Sequence, residues 1–370
     1  MTVYNNKEDE EINMTDSINE ILRQFNIETK TIPYGNGHIN DTYLCKERAG
    51  YIIQRINTDI FKEPVKVMDN ITAVTRHLRE KILADKGDPS RETLNVVKTK
   101  SGDNMYVSAK GNCYRAYEYI RDNITKETAQ TPDDLYQAGK AFGKFQNRLA
   151  DFPSDSLYET IPDFHNTRKR FGDFKEAVSN DICGRAKCVK EEIEFAFSRE
   201  NITGTVVDLL NEGKLPLRVT HNDTKLNNVL FDSETNDAIC VIDLDTVMPG
   251  SLLYDYGDAL RFGASSAAED ETNLDKVYFD LDKFTAFTKG FLAELAPSIT
   301  EKEKELLPFS VKLLTFECGI RFLGDYLNGD VYFKTHRPGH NLDRARTQFK
   351  LVSDIEKKTD EMKKIIDGLI

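Results

Sequence analysis

The sequence predicts an α+β protein of two lobes, a small β-rich N-terminal lobe and a large, mostly α-helical C-terminal lobe with an embedded β-hairpin. Three observations predict it. The chain has 370 residues, more than one hydrophobic core usually supports. Strand-like alternation and turn signals dominate up to about residue 120, and helical spacing dominates from about residue 125. The stretch RVTHNDTKLNNVLFD, residues 218–232, then interrupts the helical region with a short island of β character. The expected division is an acidic disordered tail over 1–14, an N-lobe over 15–120 and a C-lobe over 121–370.

The elements follow in order. TDSINEILRQFNI reads as a helix with Ile18, Ile21, Leu22 and Phe25 at helical spacing, capped by Asp16 or Ser17. Two strands, 43–45 and 51–56, are joined by a short charged turn ending in Gly50, and a Gly-Asn-Gly segment precedes them. A helix follows with Val67, Ile71, Val74 and Leu78 on one face, then strands at 95–98 and 104–107, and CYRAYEYIRDN closes the β-rich part. PDDLYQAGKAFGKFQNRLADF opens the helical part with Leu135, Ala138, Phe142, Phe145 and Leu149 on one side. KCVKEEIEFAFSREN and TGTVVDLLNEG continue it, and helices resume from Tyr254 to the end.

Composition excludes several classes. The net charge is −12 and there is no long basic run, so nucleic acid is not the expected partner. No apolar run approaches the ~18 residues of a membrane span, and the polar, acidic MTVYNNKEDEEINM is no signal peptide. A cytoplasmic protein with no membrane partner is expected, a monomer or weak homodimer. The six cysteines fit free thiols in a reducing compartment better than a disulfide framework, since the chain is not small. Cys183 and Cys188 have no second pair or nearby His to make a zinc site.

The island carries the chemistry. His221, Asp223, Lys225 and Asn228 stand in H-x-D-x-K-x-x-N order, and Asp243 follows in VIDLD, fifteen residues after Asn228. Phosphoryl transfer from a nucleotide wants this set. Asp223, in a polar turn, suits the base that accepts the acceptor's proton. Asn228 and Asp243 supply one neutral and one charged hard oxygen for Mg²⁺, which also takes phosphate oxygens and water. Lys225 can reach the transferred phosphoryl group as a point charge. A hairpin turn capped by Asn and Asp would explain HNDTKLNN alone, but not its pairing with VIDLD.

These segments resemble the catalytic and metal-binding loops of the protein-kinase-like fold, as used by aminoglycoside phosphotransferases and related small-molecule kinases. YGNGHINDTYL, YIIQRIN, FHNTRKRF, VIDLDTVMPGSLLYDYGDALRF and GIRFLGDYLNGDVYFK narrow the resemblance to bacterial N-acetylhexosamine 1-kinases over residues 31–352. It implies ATP-dependent, Mg²⁺-dependent phosphorylation of the anomeric hydroxyl of N-acetylglucosamine or N-acetylgalactosamine. It implies nucleotide contacts from Gly35, Asn36, Gly37, Asn40 and Thr42, and hinge contacts from the backbone of Glu118 and Ile120. In YIIQRIN no Lys occupies the phosphate-binding position. Gln54 aligns with it and Arg55 is next, on the opposite face, so one of the two reaches the phosphates. Glu80 is the candidate partner on the following helix.

The resemblance further places His38 near the sugar and has Asp255 brace the catalytic loop; Arg321, with its fork of donors, and Tyr332, with its amphipathic ring, are the candidate sugar contacts beside Asp223, and His221 holds the loop's shape. Asp255 can equally be a helix N-cap. Asp245, expected on the same strand face as Asp243, assists the metal or caps a turn. Arg321 contacts sugar or pairs with Glu317 at i−4. Two competing functions stand beside the sugar kinase: a kinase for another small alcohol of the aminoglycoside, choline or homoserine type, which the acidic charge would suit, and a nucleotide-binding pseudokinase scaffold, which the missing strand Lys would suit.

Overall fold

The computed structural model describes residues 16–35, 40–45 and 50–369. The acidic tail over 1–14, and with it Asn36, Gly37 and His38, lies outside the described residues. The chain divides into two compact units between Arg121 and Asp122.

The first unit is an antiparallel sheet with helices. Its strands are β1 (Thr31–Pro33), β2 (Asp41–Cys45), β3 (Tyr51–Ile56), β4 (Val96–Val97), β5 (Tyr106–Val107) and β6 (Cys113–Glu118), in the order β1-β2-β3-β6-β4 with β5 also on β6. β4 and β5 are shorter than the sequence suggests. Between them Asp103 N donates to Thr99 Oγ1 (3.0 Å), so a side chain takes over pairing that a longer hairpin would supply. The Ile18–Gln24 helix packs Ile21, Leu22 and Phe25 against Cys45, Ile53, Tyr114 and Ala116 of the sheet. Neither expected cap works through its side chain. Ser17 makes no cap bond, and Asp16 instead accepts from Asn112 Nδ2 (2.8 Å) and Tyr114 Oη (3.0 Å). The Pro64–Ala84 helix buries Val67, Ile71, Val74 and Leu78, the face expected from their spacing.

The second unit is mostly helical. The Pro132–Arg148 and Leu281–Leu295 helices touch backbone to backbone. A Cβ on Gly139 would lie 2.1 Å from Phe287 O, and one on Gly290 only 2.0 Å from Tyr136 O, so glycine alone allows this approach. The Thr167–Asn180, Glu301–Leu327 and His340–Leu369 helices enclose an aromatic core with Phe171, Phe174, Phe316 and Phe349. The Thr167–Asn180 helix, which buries Thr167, Phe171, Phe174 and Ala177, is one that the sequence analysis did not place.

Two small sheets carry the polar island. β9 (Val229–Asp232) lies between β10 (Ala238–Val241) and the short β7 (Asn123–Ile124). β8 (Arg218–Thr220) pairs with β11 (Met248–Gly250). A buried bidentate ion pair fixes the start of β8: Arg218 meets Glu303 at 2.6 and 2.7 Å. Glu303 is also the third residue of the Thr300 capping box, so helix start and strand start share one carboxylate. One expectation is corrected. β10 ends at Val241, and Asp243 has φ +59° ahead of a 3₁₀ turn, Leu244–Thr246. Asp243 and Asp245 therefore do not share a strand face; Asp245 sits buried in the turn.

The Pro132–Arg148 helix depends on a second capping box, where Asp134 accepts from Thr131 N (2.9 Å) and Gln130 N (2.8 Å) and pairs with Lys126. Burial alone would raise the Asp134 carboxyl, but Lys126 and the two amides draw it down to about 2. Its folded pKa is below the unfolded 3.8, so its stabilisation is present above that value and lost as pH falls through about 2. Asp134→Asn is expected to lower unfolding free energy at neutral pH by about 2 kcal/mol. The deficit should narrow progressively below about pH 4. Urea titrations of both proteins across that range check this, and a deficit independent of pH would refute it.

Candidate functional site

The loop between β8 and β9 is held from below by one carboxylate. Asp255, in the first turn of the Leu252–Gly263 helix, is 1% exposed. Its Oδ2 accepts from His221 N (2.9 Å) and Gln146 Nε2 (2.7 Å), and its Oδ1 from Asn222 N (2.8 Å). Burial pushes this carboxyl above its ordinary value, and the His221 and Asn222 amides work against that. Thr224 Oγ1 donates to Asp255 O (2.7 Å), and Thr224 N donates to Asp258 Oδ2 (3.2 Å). The N-cap of this helix is Ser251, so Asp255 is no cap and faces the loop.

His221 ties the two loops together. Its ring is buried edge-on to Phe142 and Phe145. Nε2 lies 2.8 Å from Ile242 O, and Nδ1 accepts from Asp223 N at 3.3 Å. A carbonyl on one side and an amide on the other require the neutral ring with its proton on Nε2. Asn222, at φ +66°, donates to Thr246 O (2.8 Å), and Thr246 Oγ1 returns a bond to His221 O (2.6 Å).

The side chains of Asp223, Lys225 and Asn228 sit on this frame. Asn228 Nδ2 donates to Asp223 O (2.8 Å) and Asp223 Oδ2 (3.1 Å). Lys225 Nζ lies 2.7 Å from Asp223 Oδ1. Burial lowers the Lys225 ammonium, but Asp223 first and Asp258 after it raise it above its ordinary value. Ile242 N donates to Asn228 O (2.9 Å), so Asp243 leaves the chain one residue beyond a bond to Asn228. Asp223, Lys225 and Asn228 are thus brought together, with Asp243 following on the facing loop.

A second cluster adjoins the first through a histidine that the sequence reading did not single out. His165 is packed beside Phe164 and Tyr254. Its Nε2 lies 3.3 Å from Asn222 O and its Nδ1 2.8 Å from Glu317 Oε1. Thr167 Oγ1 donates to the other Glu317 oxygen (2.5 Å). Burial would raise the Glu317 carboxyl, but His165 and Arg321 hold it below its ordinary value. Glu317 is therefore occupied, and the i−4 pair with Arg321 does not form. Arg321 instead stands over the rings of Phe333 (5.5 Å) and Tyr332 (5.9 Å). Asp325 fixes those rings: its carboxylate accepts from the amides of Val331 (3.0 Å), Tyr332 (2.8 Å) and Phe333 (2.9 Å). Tyr332 remains 71% exposed, a presented ring and not a core one.

In the first unit the register Thr42↔Gln54↔Arg115 puts three polar residues on neighbouring strands. Gln54 Nε2 donates to Thr42 Oγ1 (3.1 Å), and Arg115 Nε donates to Gln54 Oε1 (2.9 Å). Arg55 points away, paired with Asp41 at 2.6 Å on an exposed face. A buried cation thus shares the Gln54 side of the sheet, contributed by β6 and not by β3. Gly35 has φ +79°, and Asn40 Oδ1 accepts from Asn57 N (3.0 Å). Glu118 N is used by Asn95 O (3.0 Å), and Ile120 is buried. Glu80 is exposed and has no ion-pair partner among the described residues.

Some of these partners lie inside segments already marked by their motifs. Asp258 and Arg261 (3.0 Å apart, with Glu269 2.8 Å beyond) lie in the segment that carries Asp255. His165 and Thr167 lie in FHNTRKRF. Nothing local marked Gln146, which reads as a helix position, and Glu317 was marked only as a partner for Arg321, not for His165 and Thr167.

A family model described as a phosphotransferase enzyme family matches residues 30–290. Among solved structures, an aminoglycoside phosphotransferase from Alicyclobacillus acidocaldarius superposes with a TM-score of 0.64 at 12% identity, covering 96% of this chain and 97% of that one. A microcompartment-associated aminopropanol kinase gives 0.57 at 14% identity, covering 93% and 97%. A spectinomycin phosphotransferase in complex with ADP and spectinomycin gives 0.52 at 15%, covering 93% and 97%. The fold is that of these kinases, a small antiparallel sheet followed by a helical lobe. No helix among the described residues is long and apolar enough to cross a membrane.

The double role of the His221 ring is open to test. His221→Phe keeps its packing and removes both ring hydrogen bonds, leaving Ile242 O and Asp223 N without them. Unfolding free energy is expected to fall by about 1–3 kcal/mol, read by urea denaturation. A variant as stable as the parent would show that these bonds do not hold the two loops.

Proposed function

Because the chain belongs to the phosphotransferase enzyme family, we propose that it transfers the terminal phosphoryl group of ATP to the anomeric hydroxyl of an N-acetylhexosamine, giving the sugar 1-phosphate. The observation that carries phosphoryl transfer is Asp223 held between Lys225 and Asn228, with the Asp243 loop bonded to Asn228. The sugar assignment is supported by the segment resemblance and by the Arg321–Tyr332 pair, a fork of donors beside a presented aromatic ring. A nucleotide co-substrate is supported by the structural neighbours solved with ADP, GDP or ATP.

In this reading the sugar C1 oxygen attacks the terminal phosphorus while Asp223 accepts its proton, and ADP departs with the electrons of the broken P–O bond. A hemiacetal hydroxyl gives up its proton more readily than an ordinary alcohol, so a carboxylate suffices as base. Lys225 faces the charge on the moving phosphoryl group. Asn228 and Asp243 would hold Mg²⁺. The residues fit that ion, because the Asn228 amide nitrogen is committed to Asp223 and its oxygen is the atom left for a hard cation. Bound Mg²⁺ would neutralise phosphate charge. Catalysis then rests on placement and charge, with no covalent enzyme intermediate.

A second reading, a kinase for a cationic alcohol, is favoured by the aminoglycoside and aminopropanol kinases among the structural neighbours. A panel of N-acetylhexosamines, kanamycin and choline with Mg-ATP separates the two. The expected product of the sugars carries phosphate on C1 by NMR. Phosphate on C6, or turnover of the cations only, would sink the sugar 1-kinase reading. Asp223→Asn should lower kcat about 10³-fold while leaving nucleotide-induced thermal stabilisation in place.

A further inference from the structure

Two guanidiniums near the catalytic loop have donors to spare. Arg321 lies one helical turn beyond Glu317, which His165 and Thr167 already occupy. Among the described residues Arg321 makes no salt bridge and no hydrogen bond; Glu317 acts on it only through its charge, and its contacts are its two rings. Arg170 lies one turn beyond Thr167 in its own helix, and its sole acceptor there is Phe164 O, at 3.3 Å from Nε and 3.1 Å from Nη2. Phe164 precedes His165, and His165 bonds to the residue before Asp223. The two cations feel one another: burial first, then Arg321, hold Arg170 below its ordinary value, with Glu317 working against both.

The neighbouring acids are all engaged. Asp325 is taken by three amides and Asn341, Asp330 by Arg185, and Asp173 by Lys169. Two partly buried like charges left together cost stability, and proteins keep such pairs where a ligand supplies the missing acceptors.

Building on the acceptor-site reading above, we infer that Arg170 is a specificity-determining residue that joins Arg321 to make a dicationic acceptor pocket. That pocket receives an oxygen-rich neutral or anionic substituent, such as an acetamido or carboxylate group, and rejects an ammonium. The chain's acidity does not oppose this. A net charge of −12 is spread over the surface and screened within about 10 Å, whereas these two cations act at contact range. Like charges brought together in a pocket repel strongly enough to decide between acceptors of equal size.

The test compares kcat/KM for N-acetylglucosamine, glucose, glucuronate and glucosamine with Mg-ATP, at roughly pH 6.5 so that an amine of pKa ~8 stays charged. The parent is expected to discriminate against glucosamine by about 100-fold relative to N-acetylglucosamine. Arg170→Gln should shrink that ratio about tenfold, and Arg170→Lys, which keeps the charge, should leave it within about threefold. A purely structural Arg170 would lower all four substrates alike in both variants and leave the ratio unmoved, which overturns the inference. So does a parent that uses glucosamine as well as N-acetylglucosamine. If no sugar is turned over, 1,2-propanediol and 1-amino-2-propanol replace them. Turnover of the neutral alcohol alone sustains the inference and removes only the sugar reading; turnover of the amine removes both.

Discussion

The site depends on one buried carboxylate. Asp255 accepts the amides of His221 and Asn222 and the side chain of Gln146, and its own carbonyl takes Thr224 Oγ1. A carboxylate withdrawn from water is costly unless its lone pairs are filled. Here they are filled by the backbone of the segment that must be placed, so the cost of burial and the shape of the loop are linked. Any arrangement that moved His221 or Asn222 would strip the buried Asp255 of a donor, which disfavours it by about 1–3 kcal/mol.

The same logic accounts for the left-handed residues. Asn222 at φ +66° and Asp243 at φ +59° each pay roughly 1 kcal/mol for that backbone. Both are residue types that tolerate it, and both lie where loops from β8 and β10 must turn toward each other. The two turns are stitched by His221 to Ile242, Asn222 to Thr246, Thr246 to His221 and Ile242 to Asn228. Each stitch joins one loop to the other, so Asp223 and Asp243 are positioned by a shared network and not by their own turns.

Much of this was legible in the sequence because it is periodic or local. The Pro64–Ala84 helix and β3 follow from spacing of Val, Ile and Leu, and H-x-D-x-K-x-x-N packs its roles within one turn. What was not legible is long-range. Glu317 looked like a helical partner for Arg321, and only the fold reveals that His165, 152 positions away, claims it. Asp245 looked like a strand residue because VIDLD is apolar-alternating; the strand stops at Val241 once Ile242 N turns to Asn228. Arg115 gave no signal as a substitute cation, since sheet register, not sequence, sets it opposite Gln54.

His165 joins the two halves of the site. One ring nitrogen faces Asn222 O, beside Asp223, and the other faces Glu317, one turn from Arg321. The Asp223 loop and the helix that carries Arg321 are therefore tied by the same imidazole, and both rest on buried partners that cannot reorient without losing hydrogen bonds. Rigid coupling of this kind suits in-line transfer, where an ångström of misplacement between hydroxyl and phosphorus costs about 100-fold in rate.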